Sequence, residues 1–118
     1  MGQDKALLAV KGRALACIAA DALWGAGATD VVAVGGHEAE LNALGLRWIP
    51  DEEPGQGPLG GLLVALRDLR TAPVVVILAC DLPGASAANV SAIADIASGL
   101  AGIPAAVVPV VADHRQWL

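Results

Sequence analysis

The sequence predicts an α/β fold in which a parallel sheet carries helices on both faces. Apolar runs of strand length alternate with segments of helical periodicity along the chain, which is typical of strands joined by helical crossovers. The clearest strand opens the run VVVILACDLP, residues 74–83, whose β-branched start suits a strand covered on both faces. Because the strands are parallel, their carboxyl ends are expected to gather at one edge of the sheet.

Short apolar runs bounded by glycine, proline or acidic residues predict the strands. The predicted strands are Val31–Val34, Leu46–Ile49, Val74–Leu78 and Ala105–Val111. The first nine residues are expected to precede any regular element.

Helical spacing of apolar residues predicts four helices between these strands. The first two are expected at Arg13–Gly25 and Glu38–Leu44. The third begins at Pro58, which suits a first helical turn, and its expected buried side consists of Leu62, Leu63, Leu66 and Leu69. The fourth is capped by Ser86 and runs to about Ser98, with an apolar face of Val90, Ile93, Ala94 and Ile96.

Composition limits the class of protein. A chain of 118 residues has room for one domain, residues 1–118, and a content of 56% hydrophobic and 16% charged residues excludes a disordered chain. Three Trp without any Phe or Tyr predict an aliphatic core. A net charge of -5 argues against nucleic acid or an anionic membrane as the partner, although a single nucleotide is not excluded.

The two cysteines match no metal-binding or redox spacing. Cys17 and Cys80 both lie within apolar segments, so we expect small buried thiols in a reducing cytoplasm. The long uncharged stretch between Asp95 and Asp113 is interrupted by glycine and proline, which favours a helix, loop and strand over a membrane span.

Three residues follow predicted strands and are expected to share one edge of the sheet: Gly35, Asp51 and Asp81. In open α/β folds this edge binds ligands. A carboxylate that follows a buried run is costly to desolvate, so its presence there favours a role in ligand binding. The residue types alone leave simpler roles open. Asp81 would also suit a helix cap, and Asp51 an ordinary loop carboxylate beside two glutamates.

The segment EEPGQGPLGG, residues 52–61, is a loop by composition. Its glycines would let the backbone approach a flat ligand, and the following helix start offers free N–H groups. A plain turn from loop to helix is the alternative. Lys5, in the segment MGQDKALL, would neutralise phosphate oxygens, or it is an ordinary surface lysine.

Three motifs together, MGQDKALL, PDEEPGQGPLGGL and ILACDLP, resemble the nucleotidyltransferase domain of the molybdenum cofactor guanylyltransferase family. The resemblance implies a Rossmann-like sheet and a cytoplasmic, Mg²⁺-dependent transferase. It also implies that Lys5 contacts the nucleotide phosphates, that Asp81 holds Mg²⁺, and that Asp51 lies near the guanine or ribose. The residues that it places against the base and the sugar are Gly57, Pro58, Leu59 and Gly60, followed by Gly61.

The chain departs from the family pattern at several points. Gly35 stands where some members have an Asn that contacts the nucleotide, which leaves the base preference open. Asp113, His114 and Arg115 stand where the family has an Asp-Gly-Arg-like segment facing the acceptor, and a solvated turn is the alternative there. His37 is expected to be a surface residue at a helix entry. Packing residues are expected at Trp24, Trp48 and Trp117.

The family's first strand and Leu-Ala-Gly-Gly loop would precede Met1. In related folds that strand lies in the middle of the sheet, between the strands predicted at 31–34 and 74–78. We therefore expect this chain to be a fragment that lacks its first strand, with further residues after Leu118.

The resemblance implies transfer of GMP from GTP to molybdopterin with release of pyrophosphate. Two alternatives remain at this point. One is a transferase that uses CTP or another NTP, with molybdopterin or a sugar phosphate as the acceptor. The other is a non-catalytic nucleotide-binding domain.

Overall fold

The structure is a computed structural model that describes residues 4–100, 102–103, 105–107, 110–111 and 114–115. Its helices are a short 3-10 helix at Lys5–Leu7, α1 (Leu15–Gly25), α2 (Glu38–Ala43), α3 (Pro58–Asp68) and α4 (Ala87–Gly99). Its strands are β1 (Ala9–Val10), β2 (Arg13–Ala14), β3 (Val32–Val34), β4 (Arg47–Ile49), β5 (Val110–Val111) and β6 (His114–Arg115). This mixed α/β arrangement agrees with the predicted fold class, although each sheet is small. None of the helices in the described ranges is long and apolar enough to cross a membrane.

Strands β3 and β4 form a parallel pair connected through α2. Val32 lies opposite Arg47 and Val34 opposite Ile49 in this pair. Helix α2 packs against β4, and α3 packs against β3. The two strands and α2 agree with the sequence prediction to within a residue or two. Because parallel strands end on the same side, this unit places the residues that follow β3 and β4 next to each other.

The hairpin β1–β2 is an element that the sequence prediction missed. Its turn consists of Lys11 and Gly12, whose φ angles of 51° and 80° are typical of a two-residue hairpin turn. Arg13 and Ala14 pair with β1, so α1 begins two residues later than predicted. At the other end of the chain, β5 and β6 form a second antiparallel pair. It includes only the last two residues of the strand predicted at Ala105–Val111.

The strand predicted at Val74–Leu78 is wrong for the described residues. The segment is half-buried, as its apolar residues require, but it pairs with none of the described strands. Apolar, β-branched sequence favours burial and an extended backbone, but a strand forms only where a neighbouring backbone supplies the hydrogen bonds. The segment nevertheless carries Asp81 at its end.

The core of the described region is aliphatic, as predicted, and its side chains are small. The larger buried residues are Leu15, Leu41, Val64 and Val90, and the remainder are Ala6, Ala16, Ala19, Ala20, Ala22 and Ala65. Trp48 packs at the margin of a cluster formed by Ala6, Ala16 and Leu41. Trp24, expected as a packing residue, is about half exposed at 48%.

The starts of α3 and α4 agree with the prediction, but their buried faces agree only in part. Pro58 opens α3, and the Ser86 hydroxyl caps α4 by accepting a hydrogen bond from the Asn89 amide at 3.2 Å. Leu63 and Leu66 of α3 are exposed, as is Ile96 of α4. The described sheet beneath α3 is only two short strands wide, so it covers a narrower face of the helix than the sequence periodicity suggests.

Helices α1 and α4 are in close contact where Gly25 meets Ala87. A Cβ atom added at Gly25 would lie 2.8 Å from the Cβ of Ala87, which is closer than real Cβ atoms approach. The absence of a side chain at Gly25 therefore allows the two helices to pack at this distance.

We predict that Gly25→Ala lowers the free energy of unfolding by about 1–3 kcal/mol, because the added methyl group must push the helices apart. Denaturant melts of the two proteins would measure the difference. The matched control is Gly99→Ala at the end of α4, where an added Cβ meets no described atom within 4 Å. Equal effects of the two substitutions would contradict the tight contact.

A network around Arg47 connects β4 to two other segments. Its guanidinium donates to Asp30, with Nη2 at 2.9 Å and Nε at 3.3 Å from the two carboxylate oxygens, and it also donates to Asp68 at the end of α3. The hydrogen bond with Arg47 lowers the pKa of Asp68, and the two carboxylates, Asp68 first, raise the pKa of Arg47. These exposed ion pairs fix the start of β4 between the segment before β3 and the end of α3.

The lowered pKa of Asp68 makes the stability of the fold depend on pH. A group whose pKa is lower in the folded state stabilises the fold above its unfolded pKa, and this contribution is lost as the pH falls through the folded pKa. We expect the stability difference between the wild type and Asp68→Asn to be largest near neutral pH and to shrink on acidification below about pH 5. Urea melts across this range would measure it, with exposed Asp95→Asn as control. A constant difference at every pH would contradict the role of the ionised pair.

Candidate functional site

Lys5 and Asp81 face each other at the surface. The Lys5 ammonium lies 3.7 Å from a carboxylate oxygen of Asp81, and the two side chains are 74% and 47% exposed. Lys5 opens the 3-10 helix, and Asp81 ends the apolar segment that begins at Val74. An ammonium and a carboxylate at this separation, both open to solvent, can bind an anionic group and a hard cation side by side.

Asp4 fixes the turn that carries Lys5. One carboxylate oxygen accepts a hydrogen bond from the Ala6 amide at 3.0 Å, so Asp4 caps the 3-10 helix. The other oxygen lies 3.4 Å from Nδ1 of His37, on the loop between β3 and α2. The Asp4 side chain is only 19% exposed. A largely buried carboxylate therefore connects the Lys5 turn to the end of β3.

The loop after β3 begins with two glycines in the left-handed region, with φ of 73° at Gly35 and 76° at Gly36. Residues other than glycine rarely adopt such φ angles without strain. The Gly35 carbonyl accepts a hydrogen bond from the Trp48 indole at 2.8 Å, and its amide donates to the Ile49 carbonyl at 2.9 Å. We call these two residues the glycine turn. It is held by β4 through both backbone groups of Gly35.

The glycine turn has a carboxylate residue on each side. A Cβ added at Gly35 would lie 3.2 Å from the Cβ of Asp51, and one added at Gly36 would lie 3.0 Å from an oxygen of Asp4. Gly35 and Asp51 thus meet beyond the ends of β3 and β4, as the sequence predicts. A side chain at either glycine would therefore be in tight contact with these neighbours, in addition to the strain of its positive φ.

Asp51 also lies beside the start of α3. A Cβ added at Gly60 would be 3.3 Å from a carboxylate oxygen of Asp51, and that oxygen accepts a hydrogen bond from the Glu53 amide at 3.1 Å. Gly57 precedes the helix with φ of 74°, and no side chain caps the helix start. Pro58 follows it, and Leu59 is 62% exposed. Of the predicted residues, Gly60 therefore lies beside Asp51, and Gly57, Pro58 and Leu59 lie at the start of the same helix.

The charges of Lys5, Asp81 and Asp4 affect the neighbouring thiol of Cys80. The pKa of its thiol is raised, chiefly because burial disfavours the thiolate and further because Asp81 and Asp4 are close, while Lys5 acts in the opposite direction. The residue as a whole is exposed, so the expectation of a buried Cys80 is wrong, and Cys17 is half-buried. A thiol with a raised pKa is a poor nucleophile, which argues against a covalent role for Cys80.

Several predicted positions are not brought together by these contacts. Asp113 and Trp117 lie outside the described residues, and only the backbone is described at His114 and Arg115. Among the side chains that are described, no three His, Cys, Asp or Glu gather into a group that could hold a metal. A single carboxylate is still compatible with Mg²⁺, which commonly takes one or two protein carboxylates and completes its shell with water and phosphate oxygen.

One concavity of the described region lies away from these groups. It has a volume of about 280 Å³ and is lined by Ile49, Pro50, Glu52, Val64, Arg67 and Asp68. It adjoins Asp51 along the chain but includes none of the predicted site residues. The candidate site is defined instead by its charged groups and glycine turn, since the charged residues that line this concavity, Glu52, Arg67 and Asp68, are engaged in ion pairs.

Comparison with known proteins identifies the family of the chain. A family model described as the MobA-like NTP transferase domain matches residues 1–118. The chain belongs to this family. No solved structure shows significant similarity to it.

Three curated relatives are similar to this MobA-like domain. A probable molybdenum cofactor guanylyltransferase of Opitutus terrae is 37% identical over 90 residues, which cover 75% of this chain and 45% of the relative. One of Pelotomaculum thermopropionicum is 42% identical over 83 residues, or 70% and 40% of the two chains. The molybdenum cofactor guanylyltransferase of Xanthomonas euvesicatoria pv. vesicatoria is 41% identical over 88 residues, or 75% and 43%. The chain thus spans less than half the length of these relatives.

Sequence reasoning missed three residues that organise the site of this domain. Asp4 stands beside Lys5 in the first motif, but its side-chain partners depend on the tertiary fold. His37 has the exposure expected of a helix-entry residue, and only its approach to Asp4 distinguishes it. The indole N–H of Trp48 has to find an acceptor when it is half-buried, which is the one available signal for its contact with Gly35.

Proposed function

We propose that the protein transfers GMP from GTP to molybdopterin and releases pyrophosphate. The observation that carries the proposal is the exposed Lys5–Asp81 pair at the end of the apolar segment, in a chain that belongs to the MobA-like family over its full extent. The names of the three relatives support the choice of nucleotide and acceptor.

The reaction is a substitution at phosphorus. A terminal phosphate oxygen of the acceptor forms a bond with the α-phosphorus of GTP, and the bond between that phosphorus and the bridging oxygen of pyrophosphate breaks. Lys5 would bind the phosphate oxygens and offset their negative charge. Its short 3-10 helix would hold the ammonium in place, because catalysis of this kind depends mainly on positioning and charge neutralisation.

Asp81 would hold Mg²⁺ against the nucleotide phosphates. When bound, Mg²⁺ would withdraw charge from the phosphate oxygens and favour departure of pyrophosphate. Its preference for oxygen ligands fits the exposed carboxylate of Asp81. Arrival of a triphosphate would give Lys5 a more highly charged partner than Asp81 and so release the carboxylate for the cation.

Asp51 would contact the guanine base or the ribose. Its carboxylate accepts a hydrogen bond from the Glu53 amide and lies close to Gly35 and Gly60, and a glycine backbone can approach a flat ligand closely. A carboxylate accepts hydrogen bonds, and guanine offers N1–H and amino donors on one edge. Gly57, Pro58 and Leu59 would line the same side of the nucleotide.

Gly35 has no side chain to contact the nucleotide, so the base preference is open and a second function has to be considered. With Asp51 as the charged acceptor beside the base, CTP also offers an amino donor. A transferase that uses CTP or another NTP, acting on molybdopterin or a sugar phosphate, is therefore the alternative.

We predict that GTP in the presence of Mg²⁺ raises the melting temperature more than CTP, ATP or UTP at equal concentration. Ligand that binds only the folded state stabilises it by about 2.7 kcal/mol at one hundred times its dissociation constant, so the order of the shifts reports the order of affinity. Asp51→Asn should reduce the preference for GTP. A larger shift with CTP would favour the alternative, and no shift with any nucleotide would exclude nucleotide binding altogether.

We further predict that Asp81→Asn reduces Mg²⁺-dependent pyrophosphate release by about 100-fold or more, a loss typical of removing one preorganised charged contact to the transition state. The melting temperature should stay close to that of the wild type because the side chain is about half exposed. Asp95→Asn on α4 should retain the wild-type rate. Normal pyrophosphate release by Asp81→Asn would show that Asp81 does not hold the metal.

A further inference from the structure

We infer that Asp4 and His37 are positioning residues that act on the nucleotide through Lys5. The inference rests on the proposed function, since it assigns Lys5 to the triphosphate. It adds two residues that would not contact the nucleotide themselves. The observation that carries it is the connection from the Lys5 turn, through the Asp4 carboxylate, to His37 after β3.

Lys5 has little packing of its own to fix it. Its side chain is 74% exposed, and its one described ion pair, with Asp81, is long at 3.7 Å. A long flexible side chain in this state samples many rotamers, and ordering it on binding costs free energy. The position of its ammonium is therefore set mainly by where its backbone lies.

Asp4 sets the position of that backbone. Its carboxylate accepts from the Ala6 amide at 3.0 Å, and its carbonyl accepts from the Leu7 amide at 3.0 Å. Both hydrogen bonds span Lys5 and close the turn around it. The neighbouring Ala6 is buried in the core cluster with Ala16 and Leu41, and the Lys5 carbonyl accepts a hydrogen bond from the Leu8 amide at 3.2 Å. Asp4 is the residue whose side chain holds the start of this turn.

The second oxygen of Asp4 connects this turn to the nucleotide-facing edge. It lies 3.4 Å from His37 Nδ1, and it would be 3.0 Å from a Cβ on Gly36. The groups around the imidazole are acidic: His37 also lies 3.7 Å from Glu40 of α2. Gly36 adjoins Gly35, which is fixed by Trp48 and faces Asp51. Lys5, which would bind the phosphates, and Asp51, which would bind the base, are thus both connected to the glycine turn. The Asp4 side chain makes this connection for Lys5.

The test measures the affinity of the full chain for GTP with MgCl₂, by calorimetry, in four variants. Asp4→Ala should weaken binding about tenfold, the scale of losing a helix cap. Asp4→Asn keeps an acceptor for the Ala6 amide and should restore most of the affinity. His37→Ala should weaken binding about threefold, as exposed ion pairs contribute little, whereas His37→Asn places an amide near the Nδ1 position and should restore it. Glu38→Ala, exposed on the first turn of α2, is the matched control.

A double-mutant cycle with Lys5→Ala separates positioning from a merely structural role. If Asp4 and His37 act through Lys5, then Asp4→Ala and His37→Ala should cost no further affinity once Lys5 is removed. Equal losses in both backgrounds, or no loss in either, would overturn the inference. His37→Ala keeps the test decisive if Asp4→Ala fails to fold, because His37 is largely exposed.

The same data distinguish a failure of the proposed function. If the wild type binds no GTP, or if Lys5→Ala binds it as tightly as the wild type does, the assignment of Lys5 to the phosphates fails and the inference fails with it. If Lys5→Ala weakens binding while the Asp4 and His37 variants bind like the wild type, only the inference fails.

Discussion

The glycine turn after β3 is the constraint on which the candidate site depends. Two consecutive glycines adopt backbone angles that other residues avoid, and each lies close to a carboxylate residue, Gly35 to Asp51 and Gly36 to Asp4. Trp48 and Ile49 hold the first glycine by its carbonyl and its amide. A parallel pair of only three residues per strand can thereby place Asp4 and Asp51 at fixed positions on either side of one short loop.

The predictable part of the fold is the part with local signals. Strand β3, helix α2 and strand β4 follow from apolar runs bounded by glycine and proline, and Ser86 and Pro58 mark helix starts through their own chemistry. The residues of the Val74 segment also predict a strand, but pairing depends on a neighbouring backbone that those residues do not encode. The hairpin at Lys11 and Gly12 was missed because helical spacing begins immediately after it and obscures the turn.

The predicted site residues divide in the same way. Lys5 and Asp81, far apart in sequence, approach each other to 3.7 Å, at the start of the 3-10 helix and after the Val74 segment. Asp51 and Gly60 meet because parallel strands and the following helix share an edge. Asp4 and His37 could not be predicted, since the value of a surface histidine or a motif aspartate lies in a contact between loops that no spacing rule reveals. The identity of the nucleotide is likewise not encoded in any single position.

The alanine-rich interior has an evolutionary consequence. A buried methyl group is close to the smallest side chain there is, so substitution by glycine removes little volume, whereas anything larger must displace a neighbouring backbone. The interior therefore tolerates smaller side chains better than larger ones. Divergence at the buried alanines of α1 should stay among Gly, Ala, Ser and Cys, while the outward positions remain free to vary.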